Sequence, residues 1–318
     1  MNVTLRQLKV FAAVAKHLSF TKAAEELCLT QPAVSMQVKQ LEHQLDVSLF
    51  EQLGKKIYLT DAGEEVYHYS RQITQQLEEL EMVLANLKGL ERGKLKIAVA
   101  STANYFAPTL LGTFCGRFPG VTVSLDVTNR QSLVEQLVEN EVDLVIMGQP
   151  PADIDLEAGA FMENPLVIVA PKHHPLVNEK NIPLKRLEKE VFLVREHGSG
   201  TRIAMERFFS QHDTQITTGM EVGSNEAIKQ SVQAGLGLGL LSRDTVEMEL
   251  ALGRLQILDV AEFPILRHWY VVHRKGKRLS VVALAFKKFL LEEGAALLGK
   301  PSAVIALDAV RAQKKGAG

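Results

Sequence analysis

Residues 30–45, TQPAVSMQVKQLEHQL, space their apolar side chains in a way that one local structure satisfies. At 3.6 residues per turn Val34, Val38, Leu41 and Leu45 share a face, which predicts a helix buried along a single stripe. Thr30 stands at the N-cap position, and Pro32 falls in the first turn, where a missing N–H costs little. The opposite face near the start carries Pro32, Ser35, Met36 and Lys39, with Ala33 beside them. Side chains so short or polar cannot build a second core. A helix buried on one side, with small hydrogen-bonding groups at its exposed N-terminal end, suits insertion into a DNA major groove. There Ser35 would meet a base edge or a phosphate, Pro32, Ala33 and Met36 thymine methyl groups, and Gln31 and Gln37 adenine, while Lys39 would position the helix. The competing reading is an ordinary solvated helix face.

The flanking residues supply a frame for that helix. Leu5, Leu8, Phe11, Val14, Ala15 and Leu18 predict a first amphipathic helix, and a second begins near Ser19–Thr21 and includes Ala23, Ala24 and Leu27. Cys28 and Leu29 end it, with Cys28 expected to pack under the third helix. Helix, helix, short turn, helix is the helix-turn-helix arrangement. Beyond Leu45, a turn at Gly54, Lys55 and Lys56 is flanked by Leu49 and Phe50 before it and Ile57 and Leu59 after it. That predicts a small β-hairpin wing whose basic tip can reach phosphate or the minor groove. From Asp61 to Lys88, Ile73, Leu77, Leu80, Leu84 and Leu87 are spaced four, three, four and three, and Val66 lies seven before Ile73. Such a seam pairs two copies of a long helix, and a two-sided DNA site needs a dimer.

Composition narrows the partners. The formal net charge of −1 over 318 residues offers no global basic field, so DNA contact has to be local. Cys28 and Cys115 form no disulfide or metal framework and fit a reducing compartment. With neither a leader-like segment nor a bilayer-length apolar run, the expected location is cytoplasmic. The nine histidines show no metal-ligand spacing, and Gly198-Ser199-Gly200 lacks the full nucleophile-elbow pattern. No catalytic residue, no metal site and no enzyme activity are expected.

From Lys94 the pattern alternates between strands and helices, which predicts two α/β lobes built on parallel sheets. The chain crosses between them near Glu163–Leu166 and returns near Phe263–Arg267. Expected segments are a DNA-binding domain at 1–60, a dimerising helix at 61–89, lobe 1 at 90–163 and 267–295, lobe 2 at 164–266, and a loosely ordered tail at 296–318. Ligands of open α/β sheets bind beyond the carboxyl ends of the strands. One strand ends at Ser101, Thr102 and Asn104, and another runs into Arg195, Glu196, Ser199, Gly200, Thr201 and Arg202, each opening a helix. Thr128, Asn129, Gln149 and Asn225 occupy comparable ends. Two helix N-termini with hydroxyls and arginines suit an anion such as a phosphorylated sugar or nucleotide. Each Ser or Thr could instead be only a cap, Glu196 could clamp Arg195 or Arg202, and Arg267 and His268 could line the cleft or a solvated hinge.

The stretch LRQLKVFAAVAKHLSFTKAAEELCLTQPAVSMQVKQLEHQLDVSLFEQ, followed by LTDAG, resembles the N-terminal signature of LysR-type transcriptional regulators, and the likeness extends through QAGLGLGLL. In TQPAVSMQVKQLE, REHGSGTR and VGSNEAIKQSVQAGLGLGLLS the chain resembles the CbbR subgroup, regulators of Calvin-cycle CO2-fixation operons. The resemblance implies an all-α winged helix-turn-helix and long linker helix joined to a two-lobed, periplasmic-binding-protein-like α/β effector domain. It further implies double-stranded DNA carrying an inverted repeat, a dimer of dimers, RNA polymerase, and a small anionic co-inducer, a phosphorylated metabolite or NADPH, with no other cofactor. A regulator of another metabolic pathway with a different co-inducer is the alternative. Family base-reading positions fall on Gln31, Pro32, Ser35 and Met36. Many relatives carry arginine where this chain has Met36 and Gln52.

Overall fold

In the computed structural model, residues 3–54, 56–86 and 93–302 are described, with the side chains of 75 and 78–86 left aside. Two units, residues 1–87 and 88–318, each carry their own core. In the first, α1 (Leu5–His17), α2 (Phe20–Glu26) and α3 (Gln31–Leu45) precede a hairpin of β1 (Phe50–Leu53) and β2 (Lys56–Leu59), and α4 (Asp61–Asn86) follows. Thr4 and Gln7 make a reciprocal capping box that starts α1. Val10, Val14, Ala23, Ala24, Val34 and Val38 form the heart of the packing, and the two small alanines of α2 leave room for its neighbours. Leu5 and Leu18 stand exposed at the first turn and the C-cap, outside this core. Thr30 caps α3 by its extended backbone alone, with no bond from its hydroxyl, and Pro32 in the first turn gives up an N–H the helix does not need. Cys28 is exposed, not packed beneath α3, since its φ of 53° turns the chain between the helices and directs the side chain outward.

Gly63 lies where α4 meets the wing: a Cβ there would come within 2.1 Å of the Leu49 carbonyl oxygen. Val66 packs with Phe11, Ala15, Leu41 and Leu49, so this first seam position serves the core of its own unit. Ile73 is exposed and Leu77 half-buried. The side chains of Leu80 and Leu84, residue Leu87, the wing residue Lys55, and the tail beyond residue 302 lie outside the described residues.

The second unit has two five-stranded sheets. The first joins β3 (Gly93–Ala100), β4 (Val121–Thr128), β5 (Leu144–Met147), β6 (Leu156–Glu163) and the late strand β12 (His268–Arg274), with α5 (Ala107–Arg117), α6 (Arg130–Val138) and α10 (Val281–Phe289) on its faces. Its order is β4-β3-β5-β12-β6. The second sheet holds β7 (Leu166–Pro171), β8 (Val191–Arg195), β9 (Thr217–Val222), β10 (Leu238–Ser242) and β11 (Leu255–Ile257), in the order β11-β7-β10-β8-β9. With it go α7 (Gly200–Gln211), α8 (Asn225–Gln233) and α9 (Glu247–Ala251).

Both sheets are mixed, which corrects the expectation of parallel ones. β12 runs antiparallel to β5 and β6, and β7 runs antiparallel to β10 and β11. Each is the strand by which the chain enters a lobe from a crossover. The crossovers lie side by side: the Asn164 N–H donates to the Arg267 carbonyl at 2.7 Å, and Leu166 and Ile265 exchange backbone bonds at 3.0 Å. Paired antiparallel crossovers make a two-strand hinge and deliver side chains to the mouth between the lobes.

Candidate functional site

On α3, Gln31, Pro32, Met36, Lys39 and Gln40 form an exposed face, with Met36 at 54% exposure although it is apolar. Ala33, Ser35 and Gln37 are half-buried along its borders, and Gln37 Nε2 donates to Gln40 Oε1 at 3.5 Å. The helix contains one carboxylate, Glu42, and that group is turned inward: its Oε1 accepts from the backbone N–H of Leu49 at 2.8 Å and of Phe50 at 3.3 Å. This both fixes the entry to the wing and strips the exposed face of negative charge. Lys56 is exposed at the start of β2. A projecting, carboxylate-free helix face flanked by a hairpin is fit to meet a polyanionic groove.

The second unit holds a cleft between its sheets. Seven residues expected at strand ends border it: Ser101, Thr102, Asn129, Arg195, Ser199, Gly200 and Thr201. The helices α6 and α7 both start here, and Asn129 caps α6 by accepting from the Ser132 N–H at 3.1 Å. Their N-terminal N–H groups therefore point positive dipole ends at the cleft. Asn104 is exposed on the turn after β3, Thr128 gives its carbonyl to Ser101 N–H at 2.8 Å, and Gln149 is exposed and does not border the cleft. Arg202 turns away onto Glu206 at 2.7 Å, onto Glu221, and onto the Arg195 carbonyl at 2.9 Å. Glu196 and Asn225 also stand outside the wall, each holding Arg195.

Ala100, Arg130, Met147, Gly148, Asn164, Arg267 and Trp269 complete the cleft wall. Of these only Arg267 was in view from the sequence, with a solvated hinge as its alternative. Arg130 follows the N-cap Asn129, and the strand-end rule used for the other residues would have reached it. Asn164 and Arg267 arrive from the two crossovers and Trp269 from the start of β12, whose direction the sequence pattern does not disclose. The Arg267 guanidinium donates from Nη1 to the Gly200 carbonyl at 3.1 Å. A Cβ at Gly148 would lie 2.4 Å from its Nη2, so the missing side chain makes room for this cation. Burial, and secondarily the positive charge of Arg130, lowers the pKa of Arg267 from its ordinary value. Among the described residues Arg130 reaches only the Gln149 carbonyl, at 3.5 Å.

Two buried polar atoms in the wall have no partner: Asn164 Oδ1 and Trp269 Nε1. An unpaired group at such depth costs about 1–3 kcal/mol, a penalty that a ligand offering complementary groups removes. No Asp, Glu or His borders the cleft among the described residues, so the wall offers charge and hydrogen bonds without a general base. No group of three His, Cys, Asp or Glu side chains among those residues could hold a metal ion, and no described helix is long and apolar enough to cross a membrane.

Residues 5–64 match the family model for bacterial regulatory helix-turn-helix proteins of the lysR family, and residues 88–295 match that for the LysR substrate binding domain. Over 295 residues the chain is 58% identical to the RuBisCO operon transcriptional regulator of Allochromatium vinosum, covering 93% of this chain and 98% of that relative. Identity to the transcriptional activator CmpR of Synechocystis is 49% over 289 residues, covering 91% and 95%. The regulatory domain of Synechocystis CcmR, solved in complex with 2-PG, matches 63% of this chain and 96% of its own length, with 46% identity and a TM-score of 0.61. Full-length CbnR complexed with its target DNA shares the fold at 22% identity, with a TM-score of 0.65 over 92% of this chain and 100% of that one. The chain belongs to the LysR family of bacterial helix-turn-helix transcriptional regulators, and within it is similar to regulators of RuBisCO operons.

Proposed function

We propose that this regulator controls carbon-dioxide-fixation genes and that its co-inducer is a small phosphorylated anion held in the cleft. The observation that carries the reading is the grouping of Arg130 and Arg267, neither with a carboxylate partner among the described residues, with the unpartnered Asn164 Oδ1 and Trp269 Nε1. Two guanidiniums left without counter-ions in one enclosed space favour an anion over any neutral solute. The complex of the related CcmR domain with 2-PG, 2-phosphoglycolate, supports the same class of ligand.

On the DNA side, α3 enters the major groove through Gln31, Pro32, Ala33, Ser35, Met36 and Gln37, while Lys39, Lys55 and Lys56 hold phosphates. The seam on α4 pairs two such readers on an inverted repeat, and two dimers assemble into a tetramer that meets RNA polymerase in the cytoplasm. The anion acts by preferring one closure of the lobes, and that preference shifts the arrangement of subunits on DNA. Calorimetric titration of the purified protein with 2-phosphoglycolate, a sugar bisphosphate and NADPH tests the ligand. Binding of a phosphorylated anion, with a changed footprint on the upstream region of a RuBisCO operon, is expected. Binding of none of the three, or an unchanged footprint, would point to a regulator of another pathway.

A further inference from the structure

Glu196 does not border the cleft, yet it controls how much charge the cleft presents. Arg195 is 3% exposed, and a guanidinium so deep cannot stay unpaired. Both carboxylate oxygens of Glu196 accept from it, at 2.7 Å from Nε and 2.8 Å from Nη2. Its Nη1 donates to Asn225 Oδ1 at 2.5 Å, and Nη2 also reaches Ser101 Oγ at 3.3 Å. Arg195 is therefore neutralised and held in place, whereas Arg130 and Arg267 have only backbone carbonyls as partners among the described residues. The three guanidiniums and one carboxylate leave an excess of two positive charges, to which the N-termini of α6 and α7 add about half a charge each.

We propose that Glu196 is the specificity-determining residue for ligand charge: by cancelling one of the three guanidiniums it sets the cleft to a compact anion of moderate charge. The proposal rests on the reading of the cleft as an anion site. A charge-setting role has a signature that a mere brace lacks. Loss of a brace weakens every ligand alike, whereas an added positive charge strengthens each ligand in proportion to its own charge.

The experiment titrates the full-length protein with inorganic phosphate and with pyrophosphate, two ligands of like chemistry and different charge, and with 2-phosphoglycolate. In Glu196→Gln, which keeps the size and one acceptor, the ratio of pyrophosphate to phosphate affinity should rise about fivefold. Asn225→Asp adds a second carboxylate to the same guanidinium and should lower that ratio by a similar factor, which keeps the test alive if the first variant fails to fold. Glu206→Gln removes an equal charge from the exposed pair on Arg202 and should leave the ratio within about twofold of wild type. An unchanged ratio in both Glu196→Gln and Asn225→Asp, or a uniform loss of affinity, would overturn the role of Glu196 while leaving the anion site intact. A wild-type protein that binds none of the three anions would overturn the anion site itself, and the role of Glu196 with it.

Discussion

The exposed face of α3 and the cleft of the effector unit are both proposed to receive anionic partners, and they are built differently. On α3 the groups are short or neutral, with Lys39 beside them, and the helix's one carboxylate is committed to the backbone of the wing. In the cleft, charge is buried and held in place: Arg195 by Glu196, Arg267 by the Gly200 carbonyl and by the space Gly148 leaves. A long polyanion supplies its own field over many phosphates, so its reader needs shape and a few hydrogen bonds. With few strong base-specific donors on α3, the proposed reader would draw specificity from paired half-sites and DNA shape as well as from direct contacts. A small anion offers only a few charges, and a receptor distinguishes it by fixing opposite charges at low dielectric. The two regions should therefore fail separately and in different ways.

The largest separation comes from Leu41→Ala. Leu41 is fully buried in the cluster that joins α1, α3 and the wing, and its loss should cost the N-terminal unit about 2–5 kcal/mol. Calorimetric melting should show one transition lowered and anion affinity unchanged; a parallel fall in anion affinity would break the separation. Next, Arg267→Ala should weaken 2-phosphoglycolate binding about 100-fold while leaving the DNA affinity of the unliganded protein in place. Gly148→Ala is gentler: its Cβ would displace the Arg267 guanidinium, and about a tenfold loss of anion affinity is expected in the same titration. The smallest effect belongs to the open face. Ser35→Ala combined with Lys39→Ala should weaken DNA binding several-fold and reduce its salt slope by about one, because one phosphate contact is lost. An unchanged slope would remove Lys39 from the interface.

Legibility in the sequence followed the same division. The reader is one contiguous run, so the stripe of Val34, Val38 and Leu41 could be found from periodicity alone. The cleft is assembled from distant segments. Beyond Ser101 a 3-10 turn at Ala103–Tyr105 precedes α5, whereas strand ends that lead into α-helices at Asn129 and Ser199 announce themselves by capping residues. Asn164, Arg267 and Trp269 do not, because their placement depends on β12 running against its neighbours, a pairing that local pattern leaves unspecified. β9 is largely exposed and β11 is three residues long, so neither shows a buried run from which periodicity could place it. Cys28 was misplaced because a positive φ reverses the direction that helical periodicity assigns to a side chain.

The most direct test of the division is a DNA footprint on a RuBisCO operon's upstream region, taken with and without 2-phosphoglycolate, for wild type and Arg267→Ala. The wild-type footprint should change with the anion, and the variant should protect the same DNA identically in its presence and absence. A variant that responds as wild type does would contradict the assignment of the cleft as the site through which the anion acts.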